Sequence, residues 1–332
     1  MMWFEDLMGF KEQNPDQVRR NIELVGDKLI SKVNKQAYTI GLLTTPSLHE
    51  LRLASTYPDE GGQTMQLSEV VGDVQKLHCL AQNQGAFFQA ASQFNLLEMV
   101  GPDVTPEEGV ERYAYDGTQG PACAISCGAG TIYRNYFVDV NGRKGQYVDN
   151  QIDCLKELGQ YFENDKNRWW TMTNGYALAT SEGLKFISRT IGSLSTDEYE
   201  QLKACLRIGV QADSQVTINS SSNFVTQAYC SALPVAYSSI DAALWEPFAR
   251  LVLEASYEAT LFAALENRNR TGNKRVYLTL LGGGVFGNKI EWILESLEKA
   301  LSRFRNSSLE VMLVSYGSSN PSVGQFIDNF TS

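Results

Sequence analysis

Near its C-terminal end the chain spells out one complete folding unit. Arg275-Val276-Tyr277-Leu278-Thr279-Leu280-Leu281 reads as a strand apolar enough for burial on both faces, and Gly282-Gly283-Gly284-Val285-Phe286-Gly287 turns the chain. Asn288, with Glu291 three residues on, then caps a helix to about Phe304, and Leu309 to Ser315 forms the next strand. Strand, crossover helix and strand in that order commit the chain to an α/β fold with a parallel element in its sheet.

Gly282, Gly284 and Gly287 satisfy G-x-G-x-x-G between a strand and a helix, where bare N–H groups can surround a phosphate without a basic side chain. A tight turn that binds nothing has the same spelling. A nicotinamide or flavin fold places this unit early and puts an acid about 20 residues on, at the end of the next strand. Here that strand ends at Ser315, close to the C-terminus. Gly287-Asn288-Lys289 also stands where a P-loop needs Gly-Lys-Ser/Thr. The turn therefore fits an anion site outside both nucleotide classes.

Composition narrows the partners. The 332 residues carry 28 Lys and Arg against 38 Asp and Glu, a net charge of −10, which argues against a nucleic-acid face. Two histidines (His49, His78) and six scattered cysteines assemble no zinc spacing, so neither metal nor cofactor is expected. Reduced thiols and an acidic start without a signal layout point to the cytoplasm. The longest uncharged stretch, Ser214 to Ile240, is full of Ser, Asn and Gln and is no membrane span.

Pro15 to Val33 and Ser47 to Tyr57 read as amphipathic helices of an N-terminal extension, residues 1–66, ending after Gly61-Gly62. Ser68 to Leu80 reads as a helix or capped turn, and Ala86 to Ala91 as a buried strand. Between 102 and 121 the crowding of Pro102, Pro106, Gly109, Gly117, Gly120 and Pro121 marks an ornamented loop of the kind that carries function. A small-residue helix is expected over Pro121 to Tyr133, and hairpins with helices, one capped by Ser195 and Glu198, over Asn135 to Cys230. Ile240 to Asn267 is apolar on several sides and belongs between layers.

Four segments in chain order carry a resemblance: Gly72-Asp73-Val74; Ala91-Ser92-Gln93-Phe94-Asn95-Leu96-Leu97-Glu98-Met99; Asp116-Gly117-Thr118-Gln119-Gly120-Pro121-Ala122-Cys123-Ala124; and Leu281 to Asn288. Together they resemble the macrodomain family, in a divergent branch that includes bacterial effector ADP-ribosyl hydrolases and eukaryotic relatives. The resemblance covers roughly 67–134 and 270–318. It implies a three-layer mixed sheet with helices on both faces over residues 67–332, with the middle, at about 135–235, an insertion or extra sheet strands and helices. It also implies ADP-ribose or an ADP-ribosylated protein as partner. Carried over, Asp73 is similar to the adenine-amine acceptor and Val74 to the donor beside it, Asn95 would bind the distal ribose hydroxyls, and Gln93 joins the ligand-binding set. Thr118, Gln119, Gly120, Ala122 and Cys123, with Gly283, Gly284, Val285 and Gly287, would clasp the diphosphate, and Phe286 would pack on the ribose. Ser92-Gln93-Phe94-Asn95 departs from the family's Asn-Ala-Ala-Asn, and Thr118-Gln119-Gly120-Pro121 from its glycine run. Asp73 equally suits a helix cap, Asn95 a turn and Phe286 the core.

Cleaving an ADP-ribosyl glycosidic bond passes through an oxocarbenium-like state and needs a carboxylate and a positioned water, not a histidine. Among the acids between the ribose-facing strand end and the diphosphate loop, Asp116 comes first, in a flexible segment beside Thr118-Gln119. Glu108 also fits a capping box with Thr105, and Glu98 either faces the ligand or pairs with Arg134. The expected activity is hydrolytic removal of ADP-ribose from proteins; the rival is an ADP-ribose reader with the same pocket and no turnover. His78 beside Cys79 makes a poor hydrolase pair, and no G-x-S-x-G elbow occurs.

Overall fold

The computed structural model describes residues 2–332. Its centre is a seven-stranded sheet. In chain order the strands are β1 (Leu42–Thr44), β2 (Gln66–Val71), β3 (Phe87–Ala91), β4 (Gly209–Gln215), β5 (Phe224–Cys230), β6 (Arg275–Leu278) and β7 (Glu310–Ser315). Their spatial order is β1-β4-β5-β3-β6-β7-β2, and β4 alone runs against the rest.

Alternate residues show how the sheet is covered. On β3 the Phe88 ring stacks on His78 of helix Val74–Cys79, and its neighbour Gln89 donates to Thr260 of helix Ala242–Thr271. On β5, Thr226 and Cys230 meet Asn267 and Thr260, and the intervening Gln227 meets His78 and the Cys123 carbonyl. Since side chains on a strand alternate between faces, these helices lie on opposite sides and the architecture is three-layered. The long helix is buried without a break from Leu251 to Leu265, as its all-round apolar character requires. Among the described residues no helix is long and apolar enough to cross a membrane.

Four expectations change. The helix over 15–33 ends at Asn21, because Gly26-Asp27 closes a two-residue hairpin between Ile22–Val25 and Lys28–Ser31. The N-terminal segment is thus only partly helical, and Leu42–Thr44 ties it into the central sheet as β1. The end of the region read as an insertion or extra sheet strands supplies β4 and β5, and β5 is no peripheral addition but lies beside β3 at the centre; its polar residues are buried but hydrogen-bonded, so their composition disguised a core strand. The helix over 121–133 is two helices, Gln119–Ser126 and Gly128–Tyr136, broken at Cys127, where the Gly128 N–H donates to Thr217 instead. Within Ser68–Leu80 the chain is first a strand, and only Val74–Cys79 is helical.

Candidate active site

β3 and β6 pair only at Phe87 and Phe88, although β3 and β5 stay in register through Ala91. Beyond Phe88 the sheet therefore splits, at the C-terminal ends of its parallel strands, where open α/β sheets form their crevices. The Gln119 side chain satisfies the β3 edge of the split: its carbonyl accepts from the Ala91 N–H at 3.0 Å and its amide donates to the Gln89 carbonyl at 2.8 Å. Without it those backbone groups would be buried unpaired.

Two chambers open from this split. The wider, about 470 Å³, runs from Asp73 and Val74 past Ala122 and Ile125 to Tyr316. The narrower, about 190 Å³, is walled by Gln93, Glu98, Gly120, Tyr176, Tyr237 and the turn from Gly282 to Phe286. Asp116, Thr118, Gln119 and Thr279 line both, so the chambers form one cleft. Among the described residues no Lys or Arg lines either chamber.

Backbone N–H groups take the place of cations. Helix Gln119–Ser126 starts without a side-chain cap, and the N–H groups of Gln119 and Gly120, both on the cleft wall, meet no protein acceptor among the described residues. Across from them the 282–287 turn is closed by the Gly287 N–H to Gly284 and the Asn288 N–H to Gly282. The N–H groups of Gly284, Val285 and Phe286 meet no protein acceptor among the described residues. Glycine is required at 282, where φ is +71° and a β-carbon would meet Ala232 and Asn288.

Glu98 is the most unusual group here. It is 4% exposed, its Oε1 has no protein partner among the described residues, and it faces the narrow chamber. Burial drives its carboxyl well above the usual range; Arg134 opposes this and Asp116 adds to it. Arg134 does not pair with it directly: the guanidinium is held by the Leu96 carbonyl and Thr131 and lies 3.6 Å over the Tyr229 ring. The loop presenting Glu98 is locked by Gln93, whose side-chain carbonyl accepts from the Met99 N–H, and by Tyr113, whose hydroxyl accepts from the Glu98 N–H. It includes Leu96 at φ +66°, a conformation costing on the order of 1 kcal/mol or more for a residue with a side chain.

The cleft brings together Asp73, Val74, Gln93, Glu98, Asp116, Thr118, Gln119, Gly120, Ala122, Gly284, Val285 and Phe286. Asp73 also caps its helix, accepting from the Gln75 N–H, and Phe286 packs on Tyr176 and Tyr237, so those alternatives coexist with a place on the wall. Five expected residues stand elsewhere. Asn95 is fully buried, its amide on Gln151 and its carbonyl on the Leu97 N–H, and it closes a turn. Cys123 is sealed beneath Gln119, its thiol pushed up by burial. Gly283 and Gly287 lie outside both chambers, Gly287 against Ala236. Glu108 lines neither chamber; it caps Thr105 and pairs with Arg112 at 3.0 Å. Asn288 is no helix cap either, since the helix begins at Ile290 and Asn288 donates to the Leu233 carbonyl.

Sequence reasoning missed Tyr176 and Tyr237. Asn174-Gly175 is a hairpin signal between Trp170–Thr173 and Tyr176–Ala179, yet nothing local shows that its tip docks on the 93–96 turn, where the Phe94 N–H donates to Gly175. Among the described residues no group of three or more His, Cys, Asp or Glu is placed to hold a metal ion.

No protein-family model matches the chain, and no curated protein matches its sequence. Among solved structures it is similar to poly(ADP-ribose) glycohydrolase from Thermomonospora curvata, with TM-score 0.47 and 11% identity over 95% of this chain and 94% of that one. It is also similar to the Deinococcus radiodurans enzyme in complex with ADP-ribose, at TM-score 0.46 and 12% identity over 86% and 91% of the two chains. The apo form of the latter gives TM-score 0.45 and 11% identity over 97% and 99%.

Proposed function

We propose that the cleft binds ADP-ribose and that the protein hydrolyses the glycosidic bond joining ADP-ribose to a modified protein. One observation carries the reading: two turns far apart in sequence, at Gln119–Gly120 and Gly284–Phe286, bring N–H groups that meet no protein acceptor among the described residues to the wall of a cleft that also holds a buried, unpaired carboxyl. A diphosphate suits that cradle, because its charge is met by oriented amides where no cation is present. Adenine then falls in the wide chamber at Asp73 and Val74, and the distal ribose in the narrow one against Tyr176 and Phe286.

In that pose Glu98, kept protonated by burial, donates its proton to the leaving oxygen as the C1″–O bond breaks. Asp116 holds the attacking water and takes its proton as the new C–O bond forms. Titration calorimetry with ADP-ribose, paired with a release assay on an ADP-ribosylated protein, tests the reading. Binding with release is expected; binding without release makes the protein a reader, and absence of binding overturns the proposal.

A further inference from the structure

Glu12 lies between the first two helices, far in sequence from the cleft, yet it is tied to the loop that forms the cleft's acidic side. Its Oε2 accepts the N–H groups of Val110 at 2.9 Å and Glu111 at 2.6 Å, and its Oε1 accepts the Tyr136 hydroxyl at 2.6 Å. Gly109, at φ +89°, gives it room: a β-carbon there would lie 2.5 Å from Oε2. From Glu111 a 3-10 turn runs to Tyr115, and the Asp116 N–H closes it on the Tyr113 carbonyl. Tyr113 in turn accepts the Glu98 N–H, and its ring is buried with Phe4, Leu7 and Met8 of the N-terminal segment. One carboxylate therefore anchors the start of a turn whose later residues support both acids.

We propose that Glu12 is a positioning residue, delivered by the N-terminal segment to fix the placement of Asp116 and of the Glu98 backbone. The proposal rests on the hydrolytic reading of the cleft. A carboxylate is suited to the task because it accepts two adjacent N–H groups on one oxygen and a hydroxyl on the other.

The test uses the full chain with Glu12→Ala and Glu12→Gln, read by amide hydrogen exchange and by steady-state hydrolysis. Glu12→Ala is expected to speed exchange over 109–116 but not over 282–287, and to lower kcat at least about tenfold with KM within about twofold, the signature of misplaced catalytic groups. Glu12→Gln keeps one accepting oxygen and should recover part of both effects, which also covers the case in which the alanine variant does not fold. Unchanged exchange over 109–116 in folded Glu12→Ala overturns the proposal, as does loosening spread evenly over the molecule; if the alanine variant does not fold, unchanged exchange over 109–116 in Glu12→Gln with a tenfold loss of kcat overturns it. Should the wild-type protein release no ADP-ribose, the hydrolytic reading falls, while exchange over 109–116 still decides whether Glu12 holds the loop.

Discussion

Two buried glutamates, one on the long helix and one at the wall of the cleft, have opposite surroundings. Glu258, on the long helix, is 1% exposed and accepts from Arg52 at 2.7 Å and Tyr57 at 2.6 Å, with Lys203 at 3.0 Å and Arg303 at 3.2 Å. Burial pushes its carboxyl up, but Lys203, Tyr57, Arg52 and Arg303 together outweigh it and hold it below the ordinary range. Glu98 is almost as buried and lacks a partner on Oε1 among the described residues, so burial wins and its carboxyl stands well above the ordinary range. Desolvation is common to both; the surrounding charges decide which form survives. A paired carboxylate is a structural brace, whereas an unpaired carboxyl at the wall of a cleft is available for proton transfer.

The comparison breaks most sharply at Glu98. Glu98→Gln keeps the shape and removes the transferable proton, so turnover should fall at least about a hundredfold, the usual size of a general-acid contribution. ADP-ribose affinity should change little. Stability should move the other way. Because the folded chain holds this proton more tightly than the unfolded one, Glu98 contributes its full stability below the unfolded value of 4.5 and loses it as pH rises through the folded value. Above that value the glutamine variant should melt no lower than wild type. Near-wild-type turnover in Glu98→Gln would remove it from the proton transfer.

Glu258→Gln should show the reverse pattern. Breaking one member of a buried ionic network costs roughly 3 kcal/mol, since Lys203, Arg52 and Arg303 lose their common anion. Urea unfolding should show that loss, while turnover per folded molecule stays near wild type. Its pH dependence is opposite in sign: Glu258 stabilises above the unfolded value of 4.5, and that contribution is lost as pH falls through its lower folded value. A large loss of turnover in fully folded Glu258→Gln would erase the distinction between the two acids.

The contrast also separates what local sequence encodes from what it does not. The βαβ unit, its glycine turn and the Ser195 capping box are dictated by neighbours in sequence and appear as expected, with the helix start shifted to Ile290. Glu108 and Asn95 failed as site residues for the same reason in reverse: each has a local use, a cap or a turn, that satisfies its side chain. The environment of Glu98 is set by Gly120, Tyr113 and Tyr176, brought from separate segments, so no window of sequence reveals which acid is desolvated. β5 was hidden by polar residues whose partners lie on His78 and the long helix.

Asp116 offers the smallest effect and the finest discrimination. It lines both chambers and is only half-buried, so it shares neither the desolvation of Glu98 nor the ionic cage of Glu258. Its Oδ1 accepts the Thr118 N–H at 2.9 Å, which gives it a structural duty beside the diphosphate cradle. Asp116→Ala removes both roles and should lower turnover at least about tenfold, more than ~1.4 kcal/mol in the barrier. Asp116→Asn keeps the oxygen facing Thr118 but is a poor proton acceptor. If Asp116 activates water, the asparagine variant should bind ADP-ribose like wild type by calorimetry and still lose that tenfold in turnover. If instead it only holds the Thr118 turn, asparagine should restore turnover and alanine should weaken binding, leaving Glu98 as the one acid in the chemistry.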